Sequence, residues 1–426
     1  MDLMDRSNSY KGWLLVVLAA ILSFNYVDRL VLGLVLQEVK TDLHLSDTQL
    51  GFLTGLAFAL FYSVMGIPIA RWADRGNRVI VIATTTALWS VAVVGCGMVT
   101  TFIQLLMIRI AVAVGEAGCI PPAHSLITDY FTRAERPRAL ARYMFGASLS
   151  VVMGYFLAGW LNGALGWRVT FQLLGIPGII LAIIALLVLR EPRNQKRNQV
   201  SPISQGPFEP HPELREVFRT LWKNFTFRHL LLCFSLQCFF GYGLLQWQPS
   251  FFIRSYGLTT RELGVWLTLT GGLGNLIGTY LGGEWAFRKA AHNEPRQFRT
   301  MAILYCGFAA LSAATYLVSD KYSAFALMGL GILGINIGNG PLFATIQTLV
   351  PERMRAMSVA MVYLFANLIG MGLGPLAVGI LSDALHPYLG PESLRYALMM
   401  LAPGYFLCAW HIWQASKTVT HDLALA

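Results

Sequence analysis

The chain has 426 residues, of which 55% are hydrophobic and only 13% charged, and its mean hydropathy is +0.56. A soluble domain carries roughly 25% charged residues because its surface faces water, so most of this surface faces something apolar. The formal net charge of +10 does not point to nucleic acid, because the basic residues sit in short loops between apolar runs and form no basic face interleaved with aromatics.

A bilayer core about 30 Å thick needs about 20 apolar residues in a helix. Twelve such runs occur along the chain, at approximately 12–36, 48–70, 79–99, 102–124, 139–161, 169–190, 227–253, 262–284, 300–319, 323–347, 356–382 and 393–416. Backbone groups in lipid must be satisfied within their own segment, so the sequence predicts an all-α membrane protein of twelve transmembrane helices. The first run is too long for a signal peptide and lacks a small-residue cleavage site; it is read as a helix. Of the 32 Lys and Arg, 24 fall on one side of the spans and six on the other, namely Lys40, Arg168, Arg254, Arg261, Lys321 and Arg395, while Arg29 and Arg109 lie within spans. The fourfold excess puts both termini in the cytoplasm, and the even span count agrees. A multi-pass protein of the cell (inner) membrane is expected, with the bilayer itself as partner.

The six cysteines, Cys96, Cys119, Cys233, Cys238, Cys306 and Cys408, all lie in apolar stretches without a CxxC or Cys/His cluster. Neither a metal site, a cofactor nor a disulfide frame is suggested. The longest non-apolar stretch, 191–226, carries Pro192, Pro202, Pro207, Pro210 and Pro212. It reads as a cytoplasmic linker, part disordered and part interfacial helix, between an N-terminal six-helix bundle (1–190) and a C-terminal one (227–426).

The two halves repeat. Glu135-Arg136-Pro137-Arg138-Ala139 precedes span five and Glu352-Arg353-Met354-Arg355-Ala356 precedes span eleven, 217 residues later. Both are followed by glycine-rich helices, with Gly146, Gly154 and Gly159 in the first and Gly370, Gly372, Gly374 and Pro375 in the second. The simpler alternative is two unrelated basic loops. Two pseudo-symmetric bundles with a substrate site between them is a transporter architecture.

The loop after span two reads Gly66-Ile-Pro-Ile-Ala-Arg71-Trp-Ala-Asp74-Arg75-Gly76-Asn-Arg78. It resembles the loop motif of the major facilitator superfamily. Gly76 suits a tight turn, Asp74 can complement a helix end, and Arg75 and Arg78 hold the loop inside. The matching slot in the second half, Gly282-Gly283-Glu284 to Arg288-Lys289, is degenerate, which fits an asymmetric pair of gates. Asp74, Arg75, Gly76, Arg78, Arg138 and Arg355 are the candidate cytoplasmic gate. Asn25-Tyr26-Val27-Asp28-Arg29 in span one and Arg109 through Gly115-Glu116-Ala117 in span four, with Pro121-Pro122 and Asp129-Tyr130-Phe131 beyond them, resemble the Spinster family of lipid transporters. The resemblance covers most of the N-terminal half; the second half has only general facilitator character. Two departures stand out. Ala113 replaces a frequent glycine, and Gly154-Tyr155 replaces the glycine–proline pattern of antiporters in span five.

Asp28, Arg29, Arg109 and Glu116 are the strong charges well inside predicted spans. Each costs about 2.5–3.5 kcal/mol on insertion scales unless paired or functional. Helix rise puts Asp28 about 12 Å and Arg109 about 10 Å from the outer ends of their spans. In the facilitator fold that the resemblance implies, spans one and four adjoin, so an Asp28–Arg109 pair follows from depth matching. It is either a structural ion pair or part of a coupling site. Glu116 lies seven residues from Arg109, on the same face and about 10 Å nearer the cytoplasm, with no obvious partner in the sequence. Such a carboxylate is readily protonated, which is what proton coupling requires. Arg29 points about 100° away from Asp28 and either snorkels or pairs within the first half.

In the second half the corresponding region offers Gln237, Tyr242, Gln246 and Trp247 in span seven and Asn336 with Asn339 in span ten. With Asn25 and Tyr26 these are candidate cavity-lining residues, ordinary interhelical hydrogen bonding being the alternative. The expectation is a secondary transporter, proton-coupled, functional as a monomer, moving an amphipathic small molecule such as a lysophospholipid; a small organic anion of the sugar-acid type is the alternative. No enzyme is expected, since HExxH and paired catalytic aspartates are missing.

Overall fold

The computed structural model describes residues 3–192, 214–289, 293–337, 342, 345–346, 348–349 and 354–424, and among these no strand occurs. In chain order, α1 (Leu3–Leu43) is followed by α2 (Asp47–Phe52), a π-helical segment Leu53–Ala57, α3 (Phe58–Arg75), α4 (Arg78–Cys96), α5 (Phe102–Glu116), α6 (Ile120–Tyr130) and α7 (Arg136–Val188). Beyond the linker come α8 (Leu214–Lys223), α9 (Phe225–Tyr256), α10 (Thr260–Leu267), a second π segment Thr268–Leu273, α11 (Gly274–Lys289), α12 (Glu294–Ala314) and α13 (Lys321–Ile337). The last group is α14 (Arg355–Phe365), a third π segment Ala366–Leu373, α15 (Gly374–Leu389), α16 (Ser393–Leu401) and α17 (Tyr405–Ala424).

Polar caps set several starts. Ser46 and Gln49 form a reciprocal capping box at α2, and the Asn77 side chain accepts the backbone N–H groups of Val79 and Ile80 at α4. The Thr101 hydroxyl accepts from Gln104 N–H at α5. Each satisfies donors that the first helical turn leaves open. Gly166, at φ 77°, breaks α7 into 136–165 and 167–188, matching the predicted spans five and six. A left-handed backbone there suits glycine, which has no Cβ to clash.

The described residues contain seven helical stretches long and apolar enough to cross a membrane, two of which, Arg138–Val188 and Met357–Leu423, run to 51 and 67 residues. The remaining predicted spans at 262–284 and 300–319 fall on helices α10 to α12, and the part of 323–347 up to Ile337 falls on α13; these helices are less apolar or shorter. Of the predicted linker, residues 193–213 lie outside the described residues, as do Glu352 and Arg353 of the second repeat loop. The first two π segments echo the repeat: position 270, 217 residues beyond Leu53, falls inside Thr268–Leu273.

The chain forms two compact units. One comprises Met1–Leu45, Ala57–Phe208 and Thr260–Val265; the other comprises Ser46–Leu56, Glu209–Thr259 and Trp266–Ala426. They differ from the two contiguous bundles read from the sequence by exchanging two short segments, each of which ends in or just before a π segment. In the first unit α7 lies along α1 and α4, and α5 lies against α3 and α4. In the second, α9 lies against α15 and α17, and α12 against α17. The second unit also holds Asp47, 1% exposed, in a bidentate pair with Arg254 at 2.7 Å on each arm, while the Ser382 hydroxyl donates to the same carboxylate at 2.6 Å.

Candidate functional site

The four charges of the first unit form two buried ion pairs. Arg109 Nη1 donates to Asp28 Oδ2 at 2.5 Å, joining the middle of α5 to the middle of α1. About two turns further along α5, Glu116 Oε2 accepts from Arg29 Nε at 2.7 Å, with Arg29 Nη2 2.6 Å from the same oxygen. Asp28 is 3%, Arg109 2% and Glu116 0% exposed. The expectation that Glu116 lacks a partner is therefore corrected: Arg29, 100° around α1 from Asp28, reaches it. Pairing is what burial demands, since an isolated ion in a low-dielectric interior costs several kcal/mol. Each carboxylate is nevertheless half used. Asp28 Oδ1 and Glu116 Oε1 are buried and accept no hydrogen bond.

Aromatic rings enclose the guanidinium groups. The Arg29 guanidinium carbon lies 5.1 Å from the Tyr26 ring centroid, 4.8 Å from Phe58 and 4.9 Å from Tyr62. The Arg109 carbon lies 5.1 Å from the same Phe58 ring. These are cation–π distances, worth most when the site is desolvated. Phe58 and Tyr62 stand one turn apart on α3 and stack at 5.9 Å with 17° between their planes. Neither ring was singled out by the sequence reading, although their i, i+4 spacing puts them on one face.

Close backbone approach fixes the depth of Glu116. A Cβ on Gly115 would come within 2.7 Å of both the Trp89 backbone nitrogen and Cβ, so α5 can lie this near α4 only with glycine there. Asn25, 1% exposed, donates from Nδ2 to Cys119 Sγ at 3.5 Å, tying α1 to the residue before α6.

A third charged cluster sits at the start of α4. Arg78 is fully buried and its fork reaches Ser125 Oγ at 2.9 Å, Asp129 Oδ2 at 2.7 Å and both oxygens of Glu191. Glu191 also accepts the Arg78 backbone N–H at 2.8 Å. The loop motif is thus anchored by one arginine, while Arg75, Arg138 and Asp74 are exposed. Gly76 does not take a left-handed conformation, its φ being −110°. What it permits is contact: a Cβ there would meet the Trp72 carbonyl oxygen at 2.9 Å.

The remaining predicted residues divide. Trp247 is fully buried and donates from Nε1 to the Pro375 carbonyl at 2.9 Å, so it belongs to helix contacts and not to an accessible wall. Gln237, 6% exposed, accepts from the Tyr305 hydroxyl at 2.9 Å, an interhelical bond. Asn25 is enclosed likewise. Tyr26, Tyr242 and Gln246 are partly exposed. Asn339 and the side chains of Asn336 and Arg355 lie outside the described residues. Among the described residues no three metal-ligating side chains are grouped. A cleft of about 510 Å³ opens near the end of α1, lined by Glu38, Asp42, Trp167 and Arg168 among others, and does not include the charged quartet.

Residues 18–375 match the model of the Major Facilitator Superfamily. The chain is 31% identical to an MFS-type efflux pump of Mycolicibacterium smegmatis, over 99% of this chain and 96% of that protein. It is 23% identical to the hexuronate transporter of Bacillus subtilis, covering 89% of each. Among solved structures, the crystal structure of a bacterial homologue of the human lysosomal transporter Spinster, inward-facing and unoccupied, superimposes with a TM-score of 0.83 at 30% identity, covering 97% of this chain and 98% of that one. That family consists of membrane transporters and not of enzymes. The chain is an integral, multi-pass membrane protein that belongs to the Major Facilitator Superfamily and, within it, resembles the Spinster transporters.

Proposed function

We propose that this chain is a secondary active transporter that works by alternating access, is coupled to protons, and moves an amphipathic substrate such as a lysophospholipid or a sphingolipid-like molecule. The observation that carries the reading is the buried quartet of Asp28, Arg29, Arg109 and Glu116. As paired, the quartet is neutral. Glu116 Oε1 can take a proton without giving up a hydrogen bond, and the proton removes the charge that Arg29 faces. The same quartet then has a net positive charge, and whichever conformation relieves it better becomes more populated. The resemblance of the Asn25–Arg29 and Arg109–Ala117 segments to the Spinster family of lipid transporters supports a lipid-like substrate.

A second reading keeps the coupling and replaces the substrate by a small organic anion recognised by Arg109 and Arg29. Likeness to the hexuronate transporter supports it. In either case the proposed arrangement is twelve spans in two six-helix bundles, 1–190 and 227–426, with both termini in the cytoplasm, in the inner membrane, acting as a monomer. The loop residues Asp74, Arg75, Gly76 and Arg78, with Arg138 and Arg355, serve as the cytoplasmic gate.

The test is competition in proteoliposomes under an imposed pH gradient, with labelled lysophosphatidylcholine as substrate. Saturable uptake that unlabelled lysolipid suppresses and hexuronate does not supports the first reading. Uptake of labelled hexuronate, insensitive to lysolipid, replaces it by the second.

A further inference from the structure

Phe58 is placed where the two ion pairs can influence one another. Its centroid is 4.8 Å from the Arg29 guanidinium carbon and 5.1 Å from that of Arg109, so the two cations lie within about 10 Å of each other, the sum of those distances. The ring is 2% exposed and is the first residue of α3 after the π segment Leu53–Ala57. A π segment inserts an extra residue into the helical turn, which rotates the residues C-terminal to it about the helix axis. Here the residue so placed carries the ring that both arginines share. Tyr62, stacked on it, and Tyr26 complete the enclosure of Arg29.

We propose that Phe58 is a positioning residue of the coupling site: it keeps Arg29 seated when Glu116 loses its charge, and passes the change to the Arg109–Asp28 pair through the shared ring. The inference rests on the proton-coupled reading above. Protonation leaves Arg29 facing a neutral carboxyl in a water-poor interior. The Tyr62 side chain also holds this guanidinium, and every further attraction that keeps it in place makes the proton easier to take up. The ring faces supply that attraction, since a desolvated cation is held by the aromatic quadrupole. Glu116 is faced by Arg29 and Asp28 from α1, by Arg109 on its own helix, by Tyr62 from α3 and by Cys119 beyond the helix end. Phe58 has no titratable group of its own. It acts only through the two arginines.

The experiment measures proton-driven uptake against pH in proteoliposomes for the wild type, Phe58→Leu, Phe58→Tyr and Glu116→Gln. Leucine keeps apolar bulk and removes the ring face. The expected result is an acid shift of the uptake midpoint in Phe58→Leu by about half to one and a half pH units, with Phe58→Tyr within about 0.2 units of wild type and a flat profile in Glu116→Gln. If Phe58→Leu does not fold, judged by its thermal melt, Phe58→Met carries the same expectation. An unshifted midpoint in the ring-less variant beside a flat Glu116→Gln profile overturns the role of Phe58 alone. A pH profile that persists in Glu116→Gln overturns proton coupling through this site, and this inference with it.

Discussion

Arg29 and Glu116 are 87 residues apart in sequence and joined by contacts of 2.6 and 2.7 Å in the interior of the first unit. Removing the arginine leaves a fully buried carboxylate without its counter-ion. Arg29→Ala is therefore expected to lower stability at pH 8 by about 3–5 kcal/mol, the usual penalty for breaking one side of a buried pair. The deficit narrows as pH falls, because a neutral carboxyl is far less costly to bury than an ionised one. Thermal melts of purified protein between pH 5 and pH 8 read this directly. An equal deficit at both ends would mean that packing of the arginine stem, and not charge, is what matters.

The Asp28–Arg109 pair separates structure from coupling. Asp28→Asn strands Arg109 and lowers the unfolding midpoint by on the order of 5–10 °C. Exchanging the two residues, Asp28→Arg with Arg109→Asp, is expected to recover at least half of that loss while proton-driven uptake stays absent. Recovery of both stability and uptake in the exchanged protein would reduce the pair to a helix-packing device.

Arg78 offers a contrast between arginine and lysine. Its fork serves Ser125, Asp129 and Glu191 at once, which a single ammonium cannot do. Arg78→Lys leaves the nearly buried Glu191 short of donors and is expected to cost about 2–4 kcal/mol. The exposed Arg75→Lys is the control and stays within about 0.5 kcal/mol. Equal melts for the two variants would contradict the anchoring role.

Glu135, in the loop before α7, has its carboxyl held below the ordinary value of 4.5, first by the Thr132 backbone N–H, then by the Thr132 hydroxyl and by Lys11. A depressed carboxyl contributes stability that is present above the unfolded value and lost as pH falls through the folded one. The Lys11–Glu135 tether, 3.2 Å long, is thus expected to persist from pH 8 to pH 5 and to open only below the usual carboxylate range. Amide exchange of residues 132–136, flat over that interval, checks it. Loosening near pH 6 would show that this loop contributes to the pH dependence of transport.

Much of the architecture was legible because hydrocarbon allows so few solutions. Apolar runs, interrupted by Gly166 and closed by caps such as Asn77 and Thr101, had to be helices. The Asp28–Arg109 contact followed from matched depth once the resemblance to the facilitator fold set spans one and four side by side. The Glu116 partner did not, because a 100° step around α1 says where Arg29 starts and not where a long side chain ends. Phe58 and Tyr62 looked like ordinary apolar residues of span two, and nothing in their composition marks them as the rings that face the arginines. Glu191 was hidden for the opposite reason. It lies among basic and proline residues that read as linker, yet it folds back onto Arg78. For Trp247 both readings stood open in the sequence, because an aromatic with a polar edge suits a cavity wall and an interhelical bond equally well, and its bond to the Pro375 carbonyl is of the second kind.

Glu116 is the group proposed to take up the proton, and the most direct measurement is the internal pH of lightly buffered proteoliposomes, followed with a trapped dye as substrate is added. The wild type should give a substrate-dependent proton signal, and Glu116→Gln should give none while still exchanging labelled substrate across the bilayer at equal pH. A signal of undiminished size in Glu116→Gln would contradict it.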